Sequence, residues 1–126
     1  MHSLHPGVLS LFLEENNLEF WNDYKLLFQS DNFVTKNQSL EVLHHILLKS
    51  EYEQFRIRFL SAGKNLAITM TLLADESKKI QNNAYNLFIL FLLNPSMPPA
   101  VRKILAMNQE KLIRFVTSFQ KEREGK

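Results

Sequence analysis

Four histidines carry most of the potential for metal or proton chemistry in this sequence: His2, His5 and the adjacent pair His44–His45. Imidazole titrates near neutral pH and is a common transition-metal ligand. Neighbouring residues on a helix point about 100° apart, however, so His44 and His45 cannot readily converge on one ion. His2 and His5 lie far from the pair in sequence. One of the pair is expected to pack at the edge of a core and the other to make a surface contact, with no metal bound. The chain has no cysteine, which excludes disulfides and thiolate metal sites. It also lacks a nucleophile elbow, a glycine-rich phosphate loop and a paired-carboxylate motif, so neither catalysis nor a cofactor is expected.

The elements that hold such side chains are helical by pattern. Apolar residues recur with period 3.6 almost everywhere. Leu18, Trp21, Tyr24 and Phe28 share one face; Leu40, Leu43 and Leu47 share another. Tyr52, Phe55 and Phe59 form a stripe, and Gly63 offers a C-terminal stop. The series continues with Leu66, Met70 and Leu73, then Ile80, Ala84, Leu87 and Phe91, and finally Leu112, Val116 and Phe119. Pro98 and Pro99 suit the first turn of a short helix through Ala106, and Asn108 suits the N-cap of the last helix. No segment alternates cleanly with period two, and no Asn-Gly or Asp-Gly turn occurs. The polar residues 121–126 are expected to fray.

The most apolar segment is "NAYNLFILFLLNP", in which residues 87–93 are apolar without a break. A membrane span needs roughly 20 such residues. Asn82, Asn83 and Asn86 lie at its start and Asn94-Pro95 ends it, so a helix buried on several sides is expected instead. The segment "MHSLHPGVLSLF" lacks a basic region and a small-residue cleavage site, so no signal peptide is expected. A net charge of +2 is too small to imply nucleic acid, and 126 residues with 45% apolar content suit one globular domain, residues 1–126.

The helices repeat. Shifted by 44 residues, "NQSLEVLHHILL" falls on "QNNAYNLFILFL": Leu40 meets Ala84, Leu43 meets Leu87, Ile46 meets Leu90 and Leu47 meets Phe91. Each long helix follows a polar lead-in, "SDN" or "DES", and precedes two further helices. A three-helix unit of roughly 40–47 residues is the armadillo/HEAT period. The expected fold is therefore all-α: an armadillo-like helical repeat of about two and a half units, stacked to share a core. Val8, Leu11, Phe12 and Leu18 then belong to an incomplete unit with an apolar patch prone to self-association.

The segments "FLEENNLEFWNDYKLLFQSDNFVTKNQSL", "NLAITMTLLADESKKIQNNAYNLFILFLLNP" and "ILAMNQEKLIRFVTSFQKER" resemble the mouse protein 25 family, also named calcium-binding protein 39. The resemblance runs from Phe12 to Arg123 and covers the C-terminal part of the family, which implies a fragment or a truncated member. It implies a non-enzymatic, cytoplasmic armadillo-type scaffold. Family members bind kinases and pseudokinases of the sterile-twenty-related class on a concave surface, and a Trp-Glu-Phe tail in a separate pocket. No EF-hand pattern is present, so these residues give calcium binding no support.

On the last long helix, Asn82, Tyr85 and Ile89 lie roughly 140–200° from Ile80, opposite the apolar stripe. The repeat maps them onto Gln38, Glu41 and His45. Because the resemblance places the long helices along the concave surface, these six residues are the expected partner-binding ladder. For the tail pocket, the resemblance carries over Met70 as an apolar wall and Lys111 as a cation for the peptide's glutamate. The chain departs from the family pattern at Met107, where a second lysine is common, and at Asn37, Ser50 and Glu53. The alternative reading is a helical-repeat module for RNA or another polyanion. Lysines and arginines are spread along the chain, however, and the ladder has none. Circular dichroism is expected to show a helical spectrum without an appreciable sheet component, and a strong sheet signal would remove the repeat assignment.

Overall fold

The computed structural model describes residues 26–124. A 3-10 turn, Leu26–Gln29, precedes six α-helices among these residues. They are α1 (Phe33–Leu48), α2 (Glu53–Ser61), α3 (Gly63–Leu73), α4 (Lys78–Leu92), α5 (Pro99–Met107) and α6 (Gln109–Glu124). A second 3-10 turn, Ser50–Tyr52, joins α1 to α2, and no strand occurs among the described residues. The order is two consecutive three-helix units, α1–α3 and α4–α6, as the 44-residue repeat predicts. The half-unit expected around Val8, Leu11, Phe12 and Leu18 lies outside the described residues, as do Trp21 and Tyr24.

Local chemistry sets the helix boundaries. The Asn32 side chain caps α1 by accepting from the Thr35 N–H at 3.0 Å, and the Ser77 hydroxyl caps α4 by accepting from Ile80 N–H at 3.3 Å. Each cap satisfies one otherwise orphaned amide. Pro99 opens α5, where a missing N–H costs nothing. The α2–α3 corner is held by buried Asn65, whose Nδ2 donates to the Phe59 carbonyl at 3.0 Å. Helix α6 runs through Glu124, into the polar segment expected to fray.

Two turn assignments differ from the sequence expectation. Gly63 does not stop a helix: it begins α3 with no positive φ. A Cβ at this position would lie 3.0 Å from Ile104 Cδ1 and 3.8 Å from Ala100 Cβ, so its small size serves the close approach of α5. Asn108 does not use its side chain as an N-cap acceptor. Its Nδ2 donates to the Ile104 carbonyl at 2.8 Å, closing α5, while its backbone carbonyl accepts the first bond of α6 from Leu112.

The core follows the stripes. Leu40, Leu43 and Leu47 of α1 and Ile80, Ala84, Leu87 and Phe91 of α4 are all buried. Helix α4 packs against both α1 and α3 of the preceding unit, and α3 in turn packs along α5. Phe59 of α2 reaches Phe91 of α4 with ring centroids 5.7 Å apart. The long apolar run divides: Leu87, Phe88 and Phe91 are buried, whereas Leu92 and Leu93 at its end are exposed. No helix among the described residues is long and apolar enough to cross a membrane.

A polar seam joins the units where α4 begins. Lys36 Nζ donates to Asp75 Oδ2 at 2.5 Å, Ser77 N–H donates to Asp75 Oδ1 at 2.9 Å, and Asn83 Nδ2 donates to Asn37 Oδ1 at 2.6 Å. The hydrogen bond from Lys36, then that from Ser77, holds the Asp75 carboxyl below its ordinary 3.8. A carboxylate so depressed stabilises the fold fully above its unfolded pKa and loses that contribution as pH falls through the folded value. Lys36→Met is therefore expected to flatten the decline in stability below about pH 4, and to cost under about 1 kcal/mol at pH 7. Urea unfolding across that range checks both; parallel pH curves for wild type and variant would contradict the assignment.

Candidate functional site

The six ladder residues sit on the first helices of the two units, which pack side by side. Gln38, Glu41 and His45 lie on α1; Asn82, Tyr85 and Ile89 lie on α4. Gln38 and Asn82 are exposed, Glu41 and His45 are half-buried, and Ile89 is half-buried and packed against the core. These five all keep some accessible surface.

Tyr85 is the correction. Its projection opposite the core stripe predicts exposure, but it is only 3% exposed. Helix α6 folds back over α4 and covers it. The Tyr85 ring stacks on Phe119 with centroids 4.5 Å apart and planes at 23°, and its hydroxyl accepts from Gln120 Nε2 at 2.7 Å. Phe115 continues the stack, 5.7 Å from Phe119. Stacked pairs contribute about 0.5–1.5 kcal/mol beyond burial. Tyr85 therefore anchors α6 to α4 inside this chain instead of presenting a ring to a partner. Lys78 and Glu122 pair at 3.0 Å farther along the same junction. Both are exposed, so that pair contributes little.

His44 is half-buried next to His45. Burial, then the neighbouring imidazole, pushes its pKa below the ordinary 6.5. Its charged form is disfavoured in the fold, so its contribution is full above pH 6.5 and declines as pH falls below that value. That behaviour suits the boundary packing role assigned to one of the pair.

The proposed tail-pocket residues come from different units, Met70 from α3 of the first and Lys111 from α6 of the second. Met70 is half-buried on α3 and packs on the core; α3 runs along α5, which turns at Asn108 into the first turn of α6, carrying Lys111. Lys111 is exposed and forms no ion pair with the described residues. Met107, at the end of α5, is 75% exposed, so the position where relatives often have lysine offers an apolar surface here. Asn37 is buried and spends its side-chain oxygen on Asn83, so it is part of the inter-unit seam. Ser50 is exposed, and Glu53 is exposed with Arg56 3.7 Å away.

Sequence reasoning also missed a groove between α4, α5 and α6, bordered by Leu92 and Ile113. The available signal was Ile113 itself, an apolar residue lying off the Leu112–Val116–Phe119 stripe.

The sequence model described as Mo25-like matches residues 3–126. The chain is similar to "Calcium-binding protein 39-like" of Homo sapiens and of Mus musculus, at 40% identity over 119 residues, 94% of this chain and 35% of each relative. It is also similar to "Mo25-like protein" of Schizosaccharomyces pombe, at 38% identity over 121 residues, 96% of this chain and 37% of that protein. The chain thus spans about a third of the length of these relatives, at 35–37%.

The burial of Tyr85 is testable by stability. Tyr85→Ala is expected to cost about 3 kcal/mol through the lost ring, and Tyr85→Phe about 1 kcal/mol or less through the lost hydroxyl contact. Urea denaturation measures both, and a near-neutral Tyr85→Ala would mean that α6 is not held there.

Proposed function

This chain belongs to the Mo25-like family, and from that premise we propose that it is a non-enzymatic scaffold for a protein kinase or pseudokinase of the sterile-twenty-related class. The observation that carries the reading is the pairing of α1 and α4. These corresponding first helices of stacked units pack together, and Gln38, Glu41 and His45 on one and Asn82 and Ile89 on the other are all at least partly accessible. Stacked helical repeats build extended binding surfaces in this way. Burial removes Tyr85 from the contact set and gives it a supporting role beneath that surface. The surface is polar with one carboxylate, Glu41, and carries no lysine or arginine at these positions, which favours a protein partner over a polyanion.

The family resemblance further supports a cytoplasmic protein whose second site, around Met70 and Lys111, takes a Trp-Glu-Phe tail. Lys111 is free to meet the peptide's carboxylate. Met107 in place of a second cation reduces the electrostatic share of that contact, so affinity in this chain rests more on the apolar wall.

Isothermal titration against a sterile-twenty-related kinase domain and against the tail peptide tests the two sites separately. Gln38→Arg with Asn82→Arg alters two exposed positions and leaves the core untouched. The double variant is expected to weaken kinase binding by at least about 1 kcal/mol and to leave the peptide unaffected. Lys111→Ala is expected to weaken only the peptide, and less so at high salt. Unchanged kinase affinity in the folded double variant would make the ladder an ordinary solvated face.

A further inference from the structure

The seam between α3 and α5 is open to solvent along one side and flanked there by cations. The two helices meet where a Cβ on Gly63 would lie 3.0 Å from Ile104 Cδ1 and 3.8 Å from Ala100 Cβ. In steps of about 100° around α3, this contact face has buried Leu66 on one side and exposed Ala67 and Lys64 on the other. The contact face of α5 has buried Val101 on one side and exposed Lys103 and Met107 on the other. The two arrangements are of opposite hand, as they must be for neighbouring helices that run in the same direction. Lys64 and Lys103 therefore flank the outer side of the seam near the level of Gly63. Met70 and Met107 lie farther along it, toward the turn at Asn108 that leads into α6 and Lys111.

The charge along this seam is of one sign. Helices α3 and α5 contain Lys64, Arg102 and Lys103 and no acidic residue. Arg102 Nη2 donates to the Met97 carbonyl at 3.4 Å. Lys64 and Lys103 form no ion pair with the described residues. Of the carboxylates that flank these helices in sequence, Glu53 lies beside Arg56 and Asp75 holds Lys36. Glu76 and Glu110 are exposed, the first in the turn before α4 and the second on α6. From Lys64 to Met70 the seam runs roughly 9 Å along the helix axis, the length of about three residues of extended chain.

We propose that the α3–α5 seam extends the tail pocket and recognises acidic residues that precede the Trp-Glu-Phe motif in the partner's tail. The inference rests on the tail-site reading above and adds what the partner's sequence must carry beside the motif. With the motif seated against Met70 and Lys111, the preceding residues run back along the seam over Ala67 and Met107. Carboxylates about three residues upstream then reach Lys64 and Lys103. Met107 withdraws a cation from the pocket itself, and Lys64 and Lys103 supply charge at its approach. Complementarity of this kind acts on partner choice and association rate more than on raw affinity.

Fluorescence anisotropy with the full chain tests this. The probes are a short peptide with glutamates before Trp-Glu-Phe, its twin with serines in their place, and a glutamate peptide whose motif is replaced by alanines. At low salt the acidic motif peptide is expected to bind about fivefold more tightly than the serine twin, with the difference shrinking at high salt. Lys64→Glu with Lys103→Glu, both at exposed positions, is expected to weaken the acidic motif peptide about tenfold and to leave the serine twin unchanged. Lys111→Ala is expected to weaken both motif peptides by the same factor. Equal binding of the two motif peptides, or indifference of the acidic one to the double charge reversal, would overturn the seam and leave the tail pocket standing. Failure of both motif peptides to bind would remove the tail pocket and the seam with it. A motif-free glutamate peptide that binds as tightly as the acidic motif peptide would also overturn the proposal, in favour of a general polyanion surface.

Discussion

The burial of α4 against the preceding unit is the constraint on which the remaining structure depends. One helix supplies the contact to α1 and α3 behind it and, through Tyr85, to α6 ahead of it. It must therefore be apolar over a wide arc, and Ile80, Ala84, Leu87, Phe88 and Phe91 supply that arc. Ala84 stands where α1 has Leu40, a smaller residue at the corresponding core position. In a stacked repeat the units are held by such interfaces more than by the propensity of any helix alone. The same demand explains why a membrane-like run of residues occurs in a chain whose helices are too short to span a bilayer.

Polar groups fix the register of that stacking. Apolar faces slide with little penalty, whereas a buried amide without a partner is costly. Asn37 and Asn83 satisfy one another across α1 and α4, and Asp75 ties Lys36 of the first unit to the start of the second. No buried side-chain polar atom among the described residues lacks a partner. The seam thus specifies one alignment of the two units.

Surface properties follow from how the third helix of the unit is attached. Aromatic rings between α4 and α6 provide strong anchorage at Tyr85 but also keep the backbones apart. The result is a firmly held helix with an incompletely filled trough beside it. Stability at one end and an open groove at the other are two consequences of the same ring-sized spacing.

Much of this was legible along the chain. Period-3.6 stripes identified Leu40, Leu43, Leu47, Ile80, Ala84, Leu87 and Phe91 as core, and the 44-residue repeat identified two three-helix units with polar caps before each long helix. These features are local, or repeat at fixed spacing, so the chain carries them without reference to its fold. Tyr85, Gly63 and the groove were settled only by tertiary structure. A stripe marks the face a helix buries first, but a second helix can return and cover another. Whether Tyr85 meets water or Phe119 depends on where α6 lands, and whether Gly63 ends a helix or admits Ile104 depends on how closely α5 approaches. Those outcomes belong to contacts between residues far apart in sequence, Tyr85 with Gln120 and Gly63 with Ile104 among them, whose geometry is decided by packing and leaves little trace in local pattern.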